Sequence, residues 1–235
     1  MGDDGAVTGA ETEQPEARGF AARLREQTAD AHASAERSPF MAELLEGSLD
    51  VAALTTFLAQ VHQLYAVLEP AVDALRDHPE VAPFADDALR RLPAVAADLH
   101  EHLGDGWREA LVPLPATSRY ADRLAAVSGW PAGVVVHHYL RYLGDLSGGQ
   151  VVRRLLARGH GWEEDRLRSW TFDAVASPKR YRDGYRAHLD AVAREHWDAA
   201  GRDRVVEEAR LGYRLNEELF ADLSQLLPRW RRAAG

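Results

Sequence analysis

The chain contains no cysteine. Disulfides, zinc-thiolate sites and cysteine nucleophiles are therefore excluded, and a reducing cytoplasm is the compartment this absence fits. No uninterrupted apolar run approaches the roughly 20 residues needed to cross a bilayer, and the acidic start of the chain lacks the basic region of a signal peptide. The expectation is a soluble, cytoplasmic protein with no membrane partner. Positive charge is also scarce: 28 Lys and Arg face 37 Asp and Glu, a formal net charge of -9. Nucleic acid is excluded as a partner, because a phosphate backbone needs a net basic face. Sustained apolar-polar alternation, the mark of strands, is missing, and no internal repeat is evident.

What is present is helical spacing. Of the 235 residues, 46% are hydrophobic, enough for a substantial core. Residues 1–17, rich in small and acidic residues without an apolar period, read as a disordered lead, and 231–235 as a C-terminal tail. From Phe20 onward apolar residues recur three and four apart, most clearly over Val51 to Leu75 and Val205 to Leu227. Turn signals at Ser38-Pro39, Asp77 to Pro83, Gly104 to Gly106, Val112 to Thr117, Gly129 to Gly133, Gly159 to Gly161 and Ser177-Pro178 cut the chain into about seven or eight helices. No linker is long or polar enough to separate two domains. The reading is one all-α, multi-helical domain over 18–230.

Tyr139 to Gln150 breaks the pattern. It lies within a helical run bracketed by Pro131 and Gly159, yet carries Gly144, Gly148 and Gly149, each costing roughly 1 kcal/mol relative to alanine in a helix interior. Glycine is used where a helix bends or where a flat body must come closer than a Cβ allows. Close helix packing accounts for the glycines. It does not account for Asp145, whose carboxylate is costly on a packed seam without partners; Arg141, one turn earlier, is its natural partner. The segment matches neither a dinucleotide fingerprint nor a phosphate loop, and no strand precedes it. A kinked helix lying across a cofactor fits both the glycines and the acid.

A second feature precedes it. Along Phe20 to Glu36, the residues Leu24, Thr28, His32 and Glu36 form an i, i+4 stripe on one helix face, and alanines flank the histidine. Small neighbours leave room for a flat ligand. Neutral imidazole is a common axial ligand to heme iron, and its other ring N–H usually meets an acceptor, a place Glu36 suits. Arg25 sits on nearly the same face, where it can meet a ligand carboxylate. Further on, Ser177-Pro178 reads as an N-cap and first helical residue, followed by Lys179, Arg180, Arg182 and Arg186. Cations there oppose the helix dipole, a conflict that an external anion resolves.

Arg141 to Gln150 is similar to the distal-helix signature of the heme oxygenase family, and Thr28 to His32 through Glu36 resembles that family's proximal-histidine segment. The resemblance runs from about Gly19 to Leu227. It implies an all-α fold with heme between a proximal helix and a kinked distal helix. It implies His32 as the axial iron ligand and Glu36 as its hydrogen-bond partner. Gly144 and Gly148 would lie against the porphyrin, with Tyr139, Ser147, Gly149 and Tyr213 also bordering it. Asp145 would hold a proton-delivering water network with Arg141, Tyr65 and Asn216. Arg25, Arg182 and Arg186 would meet the propionates; the family often has lysine at the first two, which keeps the charge but changes the contact geometry.

The activity so implied is oxidative opening of heme, at once cofactor and substrate, to biliverdin, carbon monoxide and ferrous iron. Molecular oxygen is the co-substrate, and electrons come from a donor such as ferredoxin with ferredoxin reductase, or a flavin reductase. A heme-storage or delivery protein on the same fold is the alternative. A helical di-iron oxidase needs Glu-x-x-His pairs, which the sequence lacks. His100, His102, His137 and His138 read as structural or surface residues.

Overall fold

Asp50 starts the helix around which the others assemble. Its carboxylate accepts the Ala53 N–H at 3.2 Å, satisfying one of the orphan donors of a first turn. The computed structural model describes residues 19–161 and 167–231, with the side chains of Ala35 and Glu36 left out. The expected lead, residues 162–166 and most of the expected tail lie outside these bounds. The described residues form α1 (Phe20–Gln27), α2 (Ala29–Glu36), α3 (Pro39–Glu46), α4 (Val51–Ala74), α5 (Leu92–Leu103), α6 (Pro115–Val127), α7 (Pro131–His160), α8 (Pro178–His196), α9 (Ala199–Gln225) and α10 (Leu227–Trp230). Short 3-10 segments at Asp87–Leu89, Gly104–Ala110 and Arg168–Trp170 link some of them. Among the described residues there is no strand, only an isolated antiparallel bridge between Leu49 and Arg231. The all-α expectation holds.

α4 is apolar nearly all round, as a helix surrounded by others must be. Its 24 residues include an 18-residue stretch of mean hydropathy 1.4, long and apolar enough to cross a membrane, although no uninterrupted apolar run of that length exists; 61% of that stretch is buried. α5 and α6 pack on α4, and α6 and α7 pack on α9. One apolar cluster runs from Phe20 to Trp230 through all of them, so the described residues share a single core.

Three boundaries differ from the sequence reading. The first helix is two: at Thr28 the backbone leaves helical geometry, and the Thr28 hydroxyl donates to the Leu24 carbonyl at 2.8 Å. A threonine that bonds its own preceding turn competes with the helix and ends it. The His32 N–H still donates to the Thr28 carbonyl at 3.0 Å, so α2 restarts at once on a new course. At the other end Pro228 cannot continue α9, which stops at Gln225 before a separate short α10. Arg231 then belongs to the fold rather than to a tail, pairing with Leu49 and placing its guanidinium on Glu43 at 2.6 Å.

α7 follows the bracket read from Pro131. Proline supplies the first turn, where no N–H is needed, and Gly161 ends the helix at φ +69°. Helical bonding continues without a break across Gly144, Gly148 and Gly149. Near its end α7 meets α3 at two glycines: a Cβ on Gly47, itself at φ +78°, would lie 2.4 Å from the Gly159 carbonyl oxygen. That contact draws the proximal arm of the chain against the distal helix.

Candidate functional site

α1, α2 and α3, with α4, α6, α7, α8 and α9, line an open cavity of about 800 Å³. Ligand pockets range over about 300–1,000 Å³, so this one takes a large flat molecule. Of the residues singled out in the sequence, Arg25, His32, Tyr139, Arg141, Gly144, Asp145, Ser147, Gly148, Gly149, Arg186, Tyr213 and Asn216 line it. Tyr65 stands directly behind Asp145. Arg182 does not line it, and the side chain of Glu36 lies outside the described residues.

The three glycines do different things. A Cβ built on Gly144 or on Gly148 meets nothing within 4 Å. Their faces are open to the cavity, so neither is a helix-packing contact. Gly149 is one: its Cβ would sit 3.2 Å from the Trp170 carbonyl oxygen, so it admits the 3-10 segment behind α7. Its missing side chain therefore faces Trp170 rather than a ligand.

Asp145 is held from behind. The buried Tyr65 hydroxyl donates to Asp145 Oδ2, and the Arg141 guanidinium lies 5.3 Å over the Tyr65 ring. Arg141 Nη1 donates to Asn216 Oδ1 at 3.2 Å, so the arginine bonds Asn216 and reaches Asp145 through its charge. Burial pushes the Asp145 carboxyl above the usual range, against the Arg141 charge and the Tyr65 hydrogen bond, which both lower it. Burial, with the Asp145 charge, pushes the Tyr65 phenol well up, so Tyr65 remains the donor of the pair. α4, α7 and α9 thus converge on one carboxylate.

Behind this group stands a second layer that sequence reasoning missed. Glu69 accepts the N–H groups of Arg91 and Leu92 at 2.6 and 2.9 Å and the Tyr142 hydroxyl at 3.2 Å. It ties α4 to α7 and to the start of α5. Tyr120 from α6 also lines the cavity, its phenol pushed up to about 12 by burial. Trp170, Phe57, Phe220, Met41 and Leu45 supply apolar wall. Only the period-3.6 apolar stripe could have flagged these side chains, and it marks core and cavity wall alike.

On the proximal side the Tyr213 ring meets His32 edge-on at 5.9 Å between centroids. Arg25 from α1 and Arg186 from α8 reach the cavity from one flank, close enough for both charges to act on Tyr139. Arg182, one turn before Arg186, is half-buried, and its Nε has no hydrogen-bond partner. His137 and His138 are structural, as read: both are buried, with His137 Nε2 on Glu208 at 2.8 Å. Among the described residues no cluster of His, Asp and Glu could hold a bare metal ion.

The arrangement fits heme. One histidine faces a cavity of the right size, the opposite helix is stripped of side chains at two positions, and two arginines flank it. This defines an all-α protein with a site for a flat, anionic ligand that a histidine can reach. A family model described as Heme oxygenase matches residues 18–222, and the chain belongs to the heme oxygenase family. It is 34% identical to heme oxygenase 1 of Gallus gallus over 214 residues, spanning 87% of this chain and 69% of that one. With heme oxygenase of Pyropia yezoensis it shares 31% over 208 residues, 87% and 86% of the two chains. The fold superposes on heme oxygenase-1 of the cyanobacterium Synechocystis, solved with heme, at a TM-score of 0.84 and 26% identity, covering 90% and 95%. Heme oxygenase-2 of the same organism, solved with heme and NO, gives 0.84 and 30%, covering 90% and 88%. The protein is an enzyme of heme degradation.

Proposed function

We propose that this chain opens heme with molecular oxygen and external electrons, yielding biliverdin, carbon monoxide and ferrous iron. The observation that carries the proposal is the pairing of open glycine faces at Gly144 and Gly148 with the Tyr65-supported Asp145 on the same helix. Bound heme supplies both the metal that activates oxygen and the ring that is opened. His32 would hold the iron, and Arg25 and Arg186 the carboxylates. Arg182 would join them by a turn of its side chain.

The protein's own contribution is space and a proton. Gly144 and Gly148 leave room where a side chain would block a small diatomic molecule. Tyr65 engages one oxygen of Asp145 and leaves the other available to a water in the cavity. A carboxyl acting through water suits gentle proton delivery better than a strong acid in direct contact. The Arg141 charge opposes the burial that raises the Asp145 carboxyl, and Arg141 is hydrogen-bonded to Asn216. His32 would offer the iron an imidazole nitrogen, a ligand without the electron push of a thiolate.

The electron donor is external, a ferredoxin with its reductase or a flavin reductase. The absence of cysteine from this chain supports a cytoplasmic setting. Storage or delivery of heme is not favoured, because the relatives are named as oxygenases. Adding hemin, then a reductant and oxygen, tests the proposal: the Soret band gives way to the biliverdin spectrum. A stable Soret band with no biliverdin overturns it.

A further inference from the structure

α8 carries Arg186 to the cavity, and its buried residues Tyr185, Leu189, Val192 and Ala193 all lie beyond Arg186 in sequence except Tyr185. It is a polar helix with Gly184 in its interior, whose open face packs on nothing within 4 Å, a residue that weakens a helix by roughly 1 kcal/mol relative to alanine. Near the end of α8 the Ala193 carbonyl accepts from Arg202 of α9 at 3.0 Å, and among the described residues three further hydrogen bonds fasten α8 to three other elements, about one per turn. Tyr181 donates to Asp86 at 2.7 Å, Asp190 accepts the Ala21 N–H of α1 at 2.7 Å, and between them Tyr185 meets His138 Nδ1 at 2.8 Å. The first tie is to an exposed loop carboxylate and the last lies a turn beyond Arg186. The middle one is buried and adjoins Arg186 directly.

Burial lowers His138 to about 3 and pushes the Tyr185 phenol well up, so at neutral pH both are uncharged. Of two such uncharged groups the phenol O–H is the stronger donor and the imidazole nitrogen the stronger acceptor, which assigns the Tyr185 O–H as donor to His138 Nδ1 and the imidazole proton to Nε2. The two rings lie nearly parallel, 11° apart at 5.7 Å, with Phe84 4.7 Å from Tyr185. Bond and stack together fix both the height and the rotation of α8 against α7. The neighbours of the pair in sequence are Tyr139 and Arg186, both on the cavity wall. The Tyr139 ring is 6.3 Å from that of Tyr185. No role in the proposed chemistry otherwise uses His138.

We propose that His138 is a positioning residue: by accepting the Tyr185 hydroxyl it sets where Arg186 meets the anionic edge of heme beside Tyr139. This rests on the reading of Arg186 as a carboxylate contact. Without the acceptor, a buried hydroxyl is left unsatisfied, and α8 gains freedom at the level of Arg186.

The test is the rate at which ferric heme leaves the loaded protein for excess apomyoglobin, with helix content by circular dichroism checked for every variant. His138→Leu should lose heme about tenfold faster, the effect of one unsatisfied buried group passed to the site. Tyr185→Phe, nearly isosteric, should do the same. His138→Asn, whose Oδ1 takes the place of Nδ1 as an acceptor, should restore a rate near that of the unchanged protein. In an Arg186→Ala background His138→Leu should add nothing further. Release from His138→Leu at the original rate, with Arg186→Ala fast, overturns the role of His138 alone. So does a full additional acceleration in the Arg186→Ala background, or no rescue by His138→Asn. An unchanged rate in Arg186→Ala overturns the reading of Arg186 itself, and the inference with it. Should His138→Leu fail to fold, Tyr185→Phe and His138→Asn decide the matter.

Discussion

The Tyr65 hydroxyl donates to the Asp145 carboxylate, joining α4 to α7 across 80 residues of sequence. The Arg141 charge, that bond and the Arg91 charge lower an Asp145 carboxyl that burial raises. Tyr65→Phe removes one of these three lowering effects, so Asp145 becomes protonated at higher pH. If ionised Asp145 orders the catalytic water, activity falls as pH drops through its pKa. The acid limb of kcat/KM should then move to higher pH in Tyr65→Phe. A pH–rate profile with an unmoved limb contradicts the coupling.

The glycines give a contrast within one helix. Gly144→Ala and Gly148→Ala place a methyl in open space and relieve the entropy cost of glycine, so each should raise the stability of the heme-free protein by up to ~1 kcal/mol. Gly149→Ala puts its methyl against the Trp170 carbonyl and should bring little gain or a loss. Heme affinity should fall for the first two and hardly change for the third. Thermal melts and Soret titrations of the three variants measure both effects. A stabilising Gly149→Ala beside destabilising changes at 144 and 148 refutes the assignment of faces.

His32→Ala should bind hemin weakly and with an altered Soret position, and added imidazole should restore the spectrum of the unchanged protein. Tight binding with an unshifted band would mean that another residue ligates the iron.

Glu208 makes a prediction about the fold rather than the chemistry. Burial raises its carboxyl, but the Arg123 and His137 hydrogen bonds outweigh this and bring it to about 2, against an ordinary value of 4.5. A carboxylate with a depressed folded-state pKa contributes stability above its unfolded pKa, and loses it as pH falls. Glu208→Gln should therefore lower Tm at neutral pH. The gap from the unchanged protein should close between about pH 4.5 and about pH 2. A gap independent of pH refutes the ion pairs as its source.

Local signals carried most of the site. Three glycines and an acid within a helical run are costly enough to demand a reason, and Gly144, Gly148 and Asp145 do face one cavity. The direction of each residue was less legible. Gly149 turns to Trp170, and Arg182 stays out of the cavity although it is one turn from Arg186. The sequence stripe through Leu24, Thr28 and His32 assumed one helix, whereas the Thr28 hydroxyl ends α1 by bonding its own preceding turn. Glu69, Tyr120 and Trp170 could not be read at all. Their roles depend on contacts between distant segments, and their local patterns match those of ordinary core residues.

The most direct measurement is carbon monoxide released per hemin in a single turnover with reductant and oxygen, for the unchanged protein and for Asp145→Ala at equal heme loading. One equivalent from the first and a loss of about 100-fold or more in its rate from the second is the outcome this structure calls for. No carbon monoxide from the unchanged protein, or equal release from both, contradicts it.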